Sequence, residues 1–584
     1  MPEIRDILDA RLKMLMYGIF VSLLVLFTGL YFFQIVQADK YIRLAYNNRL
    51  RLIRFLPPRG GIFDRSGVPL AVNETTFSIM GYPLDLDKPG MLSHVSSVLS
   101  AHGIPVSVED LKKTVRKQRW APYQVIRLVP NLTMVQMAEL FADPEFPSQL
   151  FPLPVWRRIY PAGAIAANIT GFVGEISEAE LRNNPPGRYV GGDIVGKSGI
   201  ERSYEERLRG TAGEEAIEVN ARGRKVRSVD VLKPSKGEDL YLTLDMGAQK
   251  LAMELLSGYR GAVVAMDVKT GAVLVSASSP TYDNNPLAWG VSAKEWQELT
   301  EDRDKPMLDR AIAGVYPPAS TFKALVALAA LEEGVIAPAT TFSCPGFLKL
   351  PSRTFRCWRR SGHGSVNLAG ALQNSCDVYF YQVGMRLGID KLLKWCKKFG
   401  LGVPTGVDLP GESGGNIAGP GWKKKRLGEN WYQGDTINYS IGQGYLLLTP
   451  FQIVRLYAAI ANGGYLVTPH FVASESRAPA DIGLLPEKLA AVQKGLDRVV
   501  SRGTGARAGS FGVAVAGKTG TAQNAHGMDH ALFAGYAPAD NPQYVAVAMV
   551  EAGAHGGSVA SPIVGEILAH ILSHPAEKNE SEGD

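Results

Sequence analysis

Three short stretches hold residue types whose spacing could make and break an ester or amide. In "GVYPPASTFKALVALAALEEG", Lys323 follows Ser320 by three positions. Pro317 and Pro318 precede a run of strong helix formers that stops at Gly334, which places Ser320 in the first turn of a helix. Side chains three apart share a helix face, so the amine of Lys323 can take the proton of the Ser320 hydroxyl once burial or neighbouring cations lower its pKa. The N–H groups of a helix start suit a developing oxyanion. The second stretch, "NSCDVYFYQVG", supplies Ser375 and Asp377, the serine being a second hydroxyl able to relay a proton to a leaving group. The third, "VAGKTGTAQ", follows the alternating run "GVAVAG" as on a strand; its Lys518, Thr519, Gly520 and Thr521 offer a cation and hydroxyls to grip a carboxylate. Ser-x-x-Lys alone is a common surface-helix tetrapeptide, so the discriminating feature is the three stretches in this order.

All four cysteines lie between positions 344 and 396. Cys344, Cys357, His363 and Cys376 are separated by twelve, five and twelve residues, looser than the paired spacings of zinc fingers. Two chemistries are open to them, disulfide bonding in an oxidising compartment and a metal site. The stretch "CPGFLKLPSRTFRCWRRSGHGS" has little apolar content and needs an internal staple to hold shape. Cys376 lies between Ser375 and Asp377, so a fixed ligand there would hold Ser375 in register. Cys396, in "LLKWCKKFG", reads as a helix residue outside the set.

One further motif misleads. Gly191, four residues, then Gly196-Lys197-Ser198 satisfies the phosphate-loop pattern. That loop needs a buried hydrophobic strand before it, and here "RNNPPGRYV" supplies Pro-Pro-Gly instead. The segment 191–198 therefore reads as a loop leading into a polar helix near Ser203–Leu208, and ATP binding is excluded.

The elements that must position these residues are punctuated along 584 residues, too many for one core. With 46% hydrophobic and 20% charged residues this is a folding chain, and a net charge of +6 with scattered Lys and Arg excludes nucleic acid as a partner class. The basic run Lys423–Arg426 reads as a solvated surface turn. From Met14 to Val36 there are 23 residues without a charge, enough to cross a hydrocarbon core of about 30 Å at about 1.5 Å per residue. The run is too long for a signal peptide, and no small-residue cleavage site follows it. Arg5, Arg11 and Lys13 keep the short leading tail in the cytoplasm by the positive-inside rule, although Lys40, Arg43, Arg49 and Arg51 on the far side weaken the contrast.

After this anchor, "LPPRGGIFDRSG" is a Pro/Gly turn cluster followed by short strand-like runs. Helical patterns follow around 90–102, 108–118 and 133–142, a Pro-rich passage at 144–161, and strands to about 233. A second unit begins near Leu240 with a strand and a helix capped by Asp245. "GAVVAMDVKTGAVLVSAS" then forms a hairpin about Lys269-Thr270-Gly271. The end, "EKNESEGD", reads as a disordered tail.

Taken together, "YPPASTFK", "SCDVYFYQVG", "NWYQGDTINYSIGQGYLLLTPFQ" and "KTGTAQ" resemble the transpeptidase domain of the class B penicillin-binding proteins, in particular the elongation branch. "PPRGGIFDRSG", "GKSGIERSYEERLRG" and "EVNARGRKV" resemble that family's non-catalytic pedestal, which makes the false phosphate loop a pedestal motif. The resemblance implies a multidomain α/β (α+β) architecture: a tail 1–13, an anchor 14–36, a β-rich, elongated pedestal 37–237, a transpeptidase domain 238–573 with a central antiparallel sheet flanked by helices, and a tail 574–584. It also implies a peptidoglycan D,D-transpeptidase of cell elongation, held by one helix in the bacterial inner membrane with its catalytic domain in the periplasm. Ser320 would be the acylated nucleophile, Lys323 the base, Ser375 the proton relay, with Asp377 where many relatives have Asn. Lys518, Thr519, Gly520 and Thr521 would anchor the substrate carboxylate, and the N–H groups of Ser320 and Thr521 would form the oxyanion hole. Implied partners are stem peptides, β-lactams, a glycan polymerase of the SEDS class and other elongation-complex proteins. The elongation branch carries zinc at the positions of Cys344, Cys357, His363 and Cys376, with carboxylates where this chain has Cys344 and Cys357; a structural Zn²⁺ in a closed Cys₃His set is the expectation here. A β-lactamase or β-lactam sensor shares the three motifs but not some 200 residues of pedestal, a D,D-carboxypeptidase differs only in using water as acceptor, and a non-catalytic scaffold would not keep Ser320 and Lys323.

Overall fold

The computed structural model describes residues 2–38, 40, 50–117, 125–185, 187–219, 225–351, 353–524 and 527–575. The acidic tail expected at the C-terminus, Arg43 and Arg49 after the anchor, and Asn220–Arg224 of the pedestal motif lie outside these residues. The chain separates into two compact units that interleave in sequence.

One unit comprises residues 1–58, 75–156 and 210–237. Its leading helix begins at Pro2, upstream of the uncharged run, and continues to Tyr31 and a π-helical turn over Phe32–Val36. The segment Ile7–Val36 is long and apolar enough to cross a membrane, and its large side chains are exposed. Leu50–Phe55, Gly213–Val219 and Lys225–Leu232 form a three-stranded antiparallel sheet. Helices Met91–Ala101, Val108–Lys117 and Met134–Ala142 stand where the periodicity predicts them, the last opened by a Thr133/Gln136 capping box. Their buried faces meet Ile79, Leu128 and Leu150 in a core of their own.

The other unit comprises 59–74, 157–209 and 238–584. The boundary expected at 237 is one of the crossings between the units but not the only one: two earlier segments, 59–74 and 157–209, belong with the later part of the chain. A buried charge cluster ties these two earlier segments to each other. Glu201 is fully buried and receives Arg59 Nε at 2.5 Å and Arg158 Nε at 2.6 Å. Burial works to raise the pKa of this carboxyl, but Arg158 and Arg59 outweigh it and hold the pKa below its ordinary value. Ile62, Tyr160, Ile169 and Ile200 join the same apolar core as the catalytic helices.

Within the phosphate-loop look-alike, Ile194–Gly196 is a short strand paired with Val173–Glu175, and helical turns run over Gly199–Ser203 and Glu205–Leu208. The expected loop is thus partly strand. The Gly196 N–H, which such a loop would offer to phosphate, donates to the Glu205 carboxylate at 2.9 Å, and Lys197 pairs with Glu180 at 2.5 Å.

The catalytic unit is built on a five-stranded antiparallel sheet of β1 (Arg260–Asp267), β2 (Val273–Ser279), β3 (Ala516–Ala522), β4 (His530–Ala537) and β5 (Tyr544–Glu551), in the order β2-β1-β5-β4-β3. The β1–β2 hairpin turns at the predicted Lys269-Thr270-Gly271, and Asp245 caps helix Met246–Leu255 by accepting from Ala248 N at 3.0 Å. Period-two alternation sends Ala262, Val264 and Met266 of β1 to one face and Val263 and Ala265 to the other. The second face is covered by helices Met246–Leu255 and Ala560–Ser573. The first is covered by the core that holds α1 (Lys323–Glu332), α2 (Asp377–Leu387) and helix Pro450–Ala461. Nine of the ten residues of α1 are buried, so its sequence shows no polar face and its helicity rests on packing.

The basic run departs from the surface turn its composition predicts. Pro420–Leu427 is a helix, and Lys423 within it is buried. Its ammonium meets Asp435 at 2.7 Å and Glu429 at 3.4 Å beneath the rings of Tyr432 and Tyr445, a pairing no local pattern announces. Cys396 is a buried helix residue, as expected, and burial pushes its thiol up to about 12.

Candidate active site

Ser320 lies in a 3-10 turn, Ala319–Phe322, that runs directly into α1, so the first turn of the expected helix is 3-10 in form. The tighter turn starts from Ala319 in the left-handed region, at φ 49°. Neighbours hold that conformation. Ala319 N donates to Gly442 O at 2.9 Å, and Tyr457 OH donates to Thr321 O at 2.8 Å. Gly442 has φ 74°, and a methyl there would stand 2.1 Å from Ala319 O, so only glycine fits beside the serine turn.

Lys323 has no exposed surface, and its Nζ donates to Ser375 O at 3.0 Å, Ser375 Oγ at 3.3 Å and Asp377 Oδ1 at 2.6 Å. The first two stretches of the sequence thus meet through this amine. Its hydrogen bonds point to Ser375 and Asp377 because a carboxylate attracts it more strongly than the neutral hydroxyl of Ser320. Ser375 itself is held at φ 51°, between helix Leu368–Gln373 and α2, with its N–H on Leu372 O at 3.1 Å. Asp377 sits in the first turn of α2, where the helix dipole favours a carboxylate.

The third stretch is itself strand: Lys518–Thr521 lies within β3, which takes in only Ala516 and Gly517 of the preceding alternating run. The strand runs at the sheet edge, paired with β4 from Ala516↔Tyr536 to Ala522↔His530. A methyl on Gly520 would stand 3.2 Å from Pro318 O and Thr321 Cγ2, so this residue is small because β3 passes directly over the serine turn. Lys518 is fully buried; burial first, and then the nearby Lys323, push its pKa well below the usual lysine value. Its Nζ reaches Thr519 Oγ1 at 3.3 Å, and Thr519 Oγ1 shares a 2.7 Å hydrogen bond with Thr504 Oγ1. Gln443 Nε2 donates to Thr521 O at 3.3 Å. All eight residues singled out for catalysis and substrate binding therefore lie on segments that meet around the serine turn.

Cys344, Cys357, His363 and Cys376 also converge. Their ligand atoms all lie within 4.8 Å of one another, and all four cysteines of the chain are free thiols. His363 Nδ1 stands 3.6 Å from the sulfurs of both Cys344 and Cys357. A hydrogen bond between Cys376 and Cys357 lowers the thiol pKa of Cys357 and, with burial, raises that of Cys376. The disulfide alternative thus has no counterpart in the structure.

Trp358, which the sequence reading passed over, joins the two groups. Its main-chain N–H donates to Asp377 Oδ2 at 2.9 Å, and its indole N–H to Asn374 O at 3.0 Å. The carboxylate that takes Lys323 on one oxygen is thereby fixed on the other by the residue after Cys357. Thr504, Gln443 and Gly442 were likewise missed. The usable signal for the last two was the Ser-Ile-Gly-Gln-Gly run at 440–444; none marked Thr504.

Comparison with known proteins agrees with this geometry. Residues 261–569 match the family described as the penicillin-binding protein transpeptidase domain, and residues 54–242 the penicillin-binding protein dimerisation domain. A peptidoglycan D,D-transpeptidase, MrdA, of Haemophilus influenzae is 37% identical over 97% of this chain and 92% of its own length. Among solved structures, the penicillin-binding protein PBP2 of Helicobacter pylori, in complex with MreC, superposes with a TM-score of 0.83 at 33% identity, covering 90% of this chain and 99% of that one. A chain from a peptidoglycan synthase complex that couples polymerization and crosslinking has a TM-score of 0.73 at 29% identity, covering 98% and 99%.

Proposed function

The chain belongs to the penicillin-binding transpeptidases and is a serine-type peptidoglycan D,D-transpeptidase of the elongation kind, and on that premise we propose how its residues divide the reaction. Ser320 Oγ attacks the carbonyl between the two terminal D-alanines of a stem peptide, and Lys323 takes the hydroxyl proton. The tetrahedral oxyanion is received by the N–H groups of Ser320 and Thr521. Ser375, hydrogen-bonded to Lys323 Nζ, passes the proton to the departing D-alanine amine, leaving the acyl chain as an ester on Ser320. An amine of a second stem peptide attacks that ester, its proton returns through the same pair, and Ser320 is regenerated with the cross-link made. Lys518, Thr519 and Thr521, with Gly520 letting the strand close over the serine turn, hold the terminal carboxylate. Asp377 orients Lys323 between substrate encounters.

The observation that carries this division is Lys323 Nζ bonded at once to Ser375 Oγ and Asp377 Oδ1, with β3 packed on the serine turn. Mass spectrometry of the purified full chain after penicillin tests it. One adduct on Ser320 is expected, and an adduct that persists in Ser320→Ala would refute it.

The Cys₃His cluster supports a structural Zn²⁺ held by Cys344, Cys357, His363 and Cys376, because four soft donors with free thiols converge from three separate segments. With no open position, such an ion supplies rigidity and no reaction step. Elemental analysis with thiol counting tests it: near one zinc and four thiols per chain supports the site, no zinc and a Cys344–Cys357 disulfide refutes it.

The anchor helix and the charges before it support a single-pass inner-membrane protein with the catalytic unit in the periplasm. The relatives solved with MreC and within a peptidoglycan synthase complex support the pedestal and anchor as the docking elements for a SEDS-class polymerase and elongation-complex proteins.

A further inference from the structure

The face of the cysteine loop beside the cleft carries recognition groups that the reaction leaves unused. From Cys344 to Cys376 the chain has no acidic residue, while Lys349, Arg353, Arg356, Arg359 and Arg360 fall within it. In the hairpin of strands Phe347–Lys349 and Thr354–Arg356, Phe347 pairs with Arg356 and Leu348 with Phe355. Alternation turns Phe355 inward and leaves Phe347, Lys349, Thr354 and Arg356 exposed on the outer side. None of the four arginines forms an ion pair among the described residues. Arg353 lies over the Phe355 ring at 5.2 Å, and Arg359 Nε reaches only the Ser361 hydroxyl at 3.3 Å.

Among these cations stands Trp358. Its side chain is 58% exposed although both of its N–H groups are bonded, to Asn374 O and Asp377 Oδ2, and its ring is 5.6 Å from that of His363. A large ring held rigid at a surface loses little freedom when something binds it, and tryptophan with arginine is the pairing most often found where binding energy concentrates. Exposed guanidinium groups with no carboxylate partner among the described residues favour carboxylates, which they can grip through two parallel hydrogen bonds.

We propose that this face, formed by Arg356, Trp358, Arg359 and Arg360, binds the anionic peptide of the acceptor strand, a carboxylate-bearing muropeptide. The proposal rests on the transpeptidase reading above. In that reading Lys518–Thr521 holds the donor carboxylate, while the leaving amine departs, and the incoming amine arrives, on the side of Ser375. The main-chain N–H of Trp358 shares Asp377 with Lys323 Nζ and its indole N–H bonds Asn374 O, next to Ser375, so a peptide laid across the Trp358 ring lies on the Ser375 side of the site.

The test uses the full chain in detergent, first acylated with penicillin so that the donor groove is filled. The probe is a soluble disaccharide-tetrapeptide, which lacks the D-Ala-D-Ala bond and cannot serve as donor. Saturable binding is expected, weakened roughly tenfold or more in Arg356→Gln/Arg359→Gln/Arg360→Gln and further in Arg359→Glu/Arg360→Glu, and weakened equally when the carboxyls of the probe are amidated. An unchanged thermal midpoint and free-thiol count establish that the variants are folded. Equal binding by the variants, equal binding of the amidated probe, or no saturable binding by the wild type would overturn the proposal. So would arginine-dependent binding to phosphatidylglycerol vesicles that the tetrapeptide does not displace, which would make the face a membrane contact. A wild-type chain that takes up no penicillin shows in its mass before any probe is added; that outcome breaks the transpeptidase reading, and the acceptor face with it.

Discussion

The two walls of the cleft are built by different physics. The wall of Lys518–Thr521 is an edge strand paired along its whole length with β4, so its side chains are aimed by a backbone ladder. The wall of Ser375–Asp377 is a turn. Ser375 sits at a positive φ, and Asp377 is held from outside by the Trp358 N–H, part of a loop in which Cys344, Cys357, His363 and Cys376 converge. A ladder spreads its load over many bonds, so losing one side chain there should weaken binding without moving the rest. The turn has few supports, and losing one of them should change the chemistry.

Ser320→Ala removes the group both walls face and should abolish covalent penicillin labelling, read as intact-protein mass, with the thermal midpoint retained. Lys323→Ala should slow acylation by roughly 10²-fold or more, the usual scale for loss of a general base; stopped-flow acylation at the wild-type rate would place the base elsewhere. Third in size, Cys376→Ser or removal of zinc by a strong chelator should loosen the Trp358–Asp377 contact and slow acylation by about tenfold, with a lower thermal midpoint. Equal loss of acylation rate and of half-labelling concentration in that variant would erase the distinction between the walls. Thr519→Val should act on binding instead, raising the antibiotic concentration for half-labelling by about fivefold at an acylation rate near normal, the scale of one lost hydrogen bond of about 1 kcal/mol. The smallest effect is expected from Thr504→Val, which deletes only the 2.7 Å support of Thr519 and should change half-labelling by less than about threefold because the ladder persists.

Much of the cleft was legible beforehand because its chemistry is local. Ser320 and Lys323 are three apart, Ser375 and Asp377 two apart, and Lys518–Thr521 contiguous, so each stretch is compact enough to be noticed, and their order together with the family resemblance brings them out. The cysteine set was legible as a choice between metal and disulfide, and the structure adds that the four side chains converge. Other features had no local signature. Lys423 reads as one of four surface cations, yet Asp435, twelve residues away, and two tyrosine rings bury it. The boundary near 237 is where the second unit resumes, yet Ile62 and Ile200, far upstream of it, share an apolar core with α1 and α2.

By itself, then, the sequence determined the reacting groups, the membrane-crossing run and the periods of its helices and strands, all of which depend on neighbours within a few residues. The tertiary structure alone decided that a tryptophan N–H holds Asp377, that glycines at 442 and 520 leave room for the serine turn, and that the arginines near Trp358 in sequence stand exposed with no ion pair among the described residues. These are contacts between segments distant in sequence, selected by which apolar faces are buried together, and burial is a property of the whole chain that no short stretch carries.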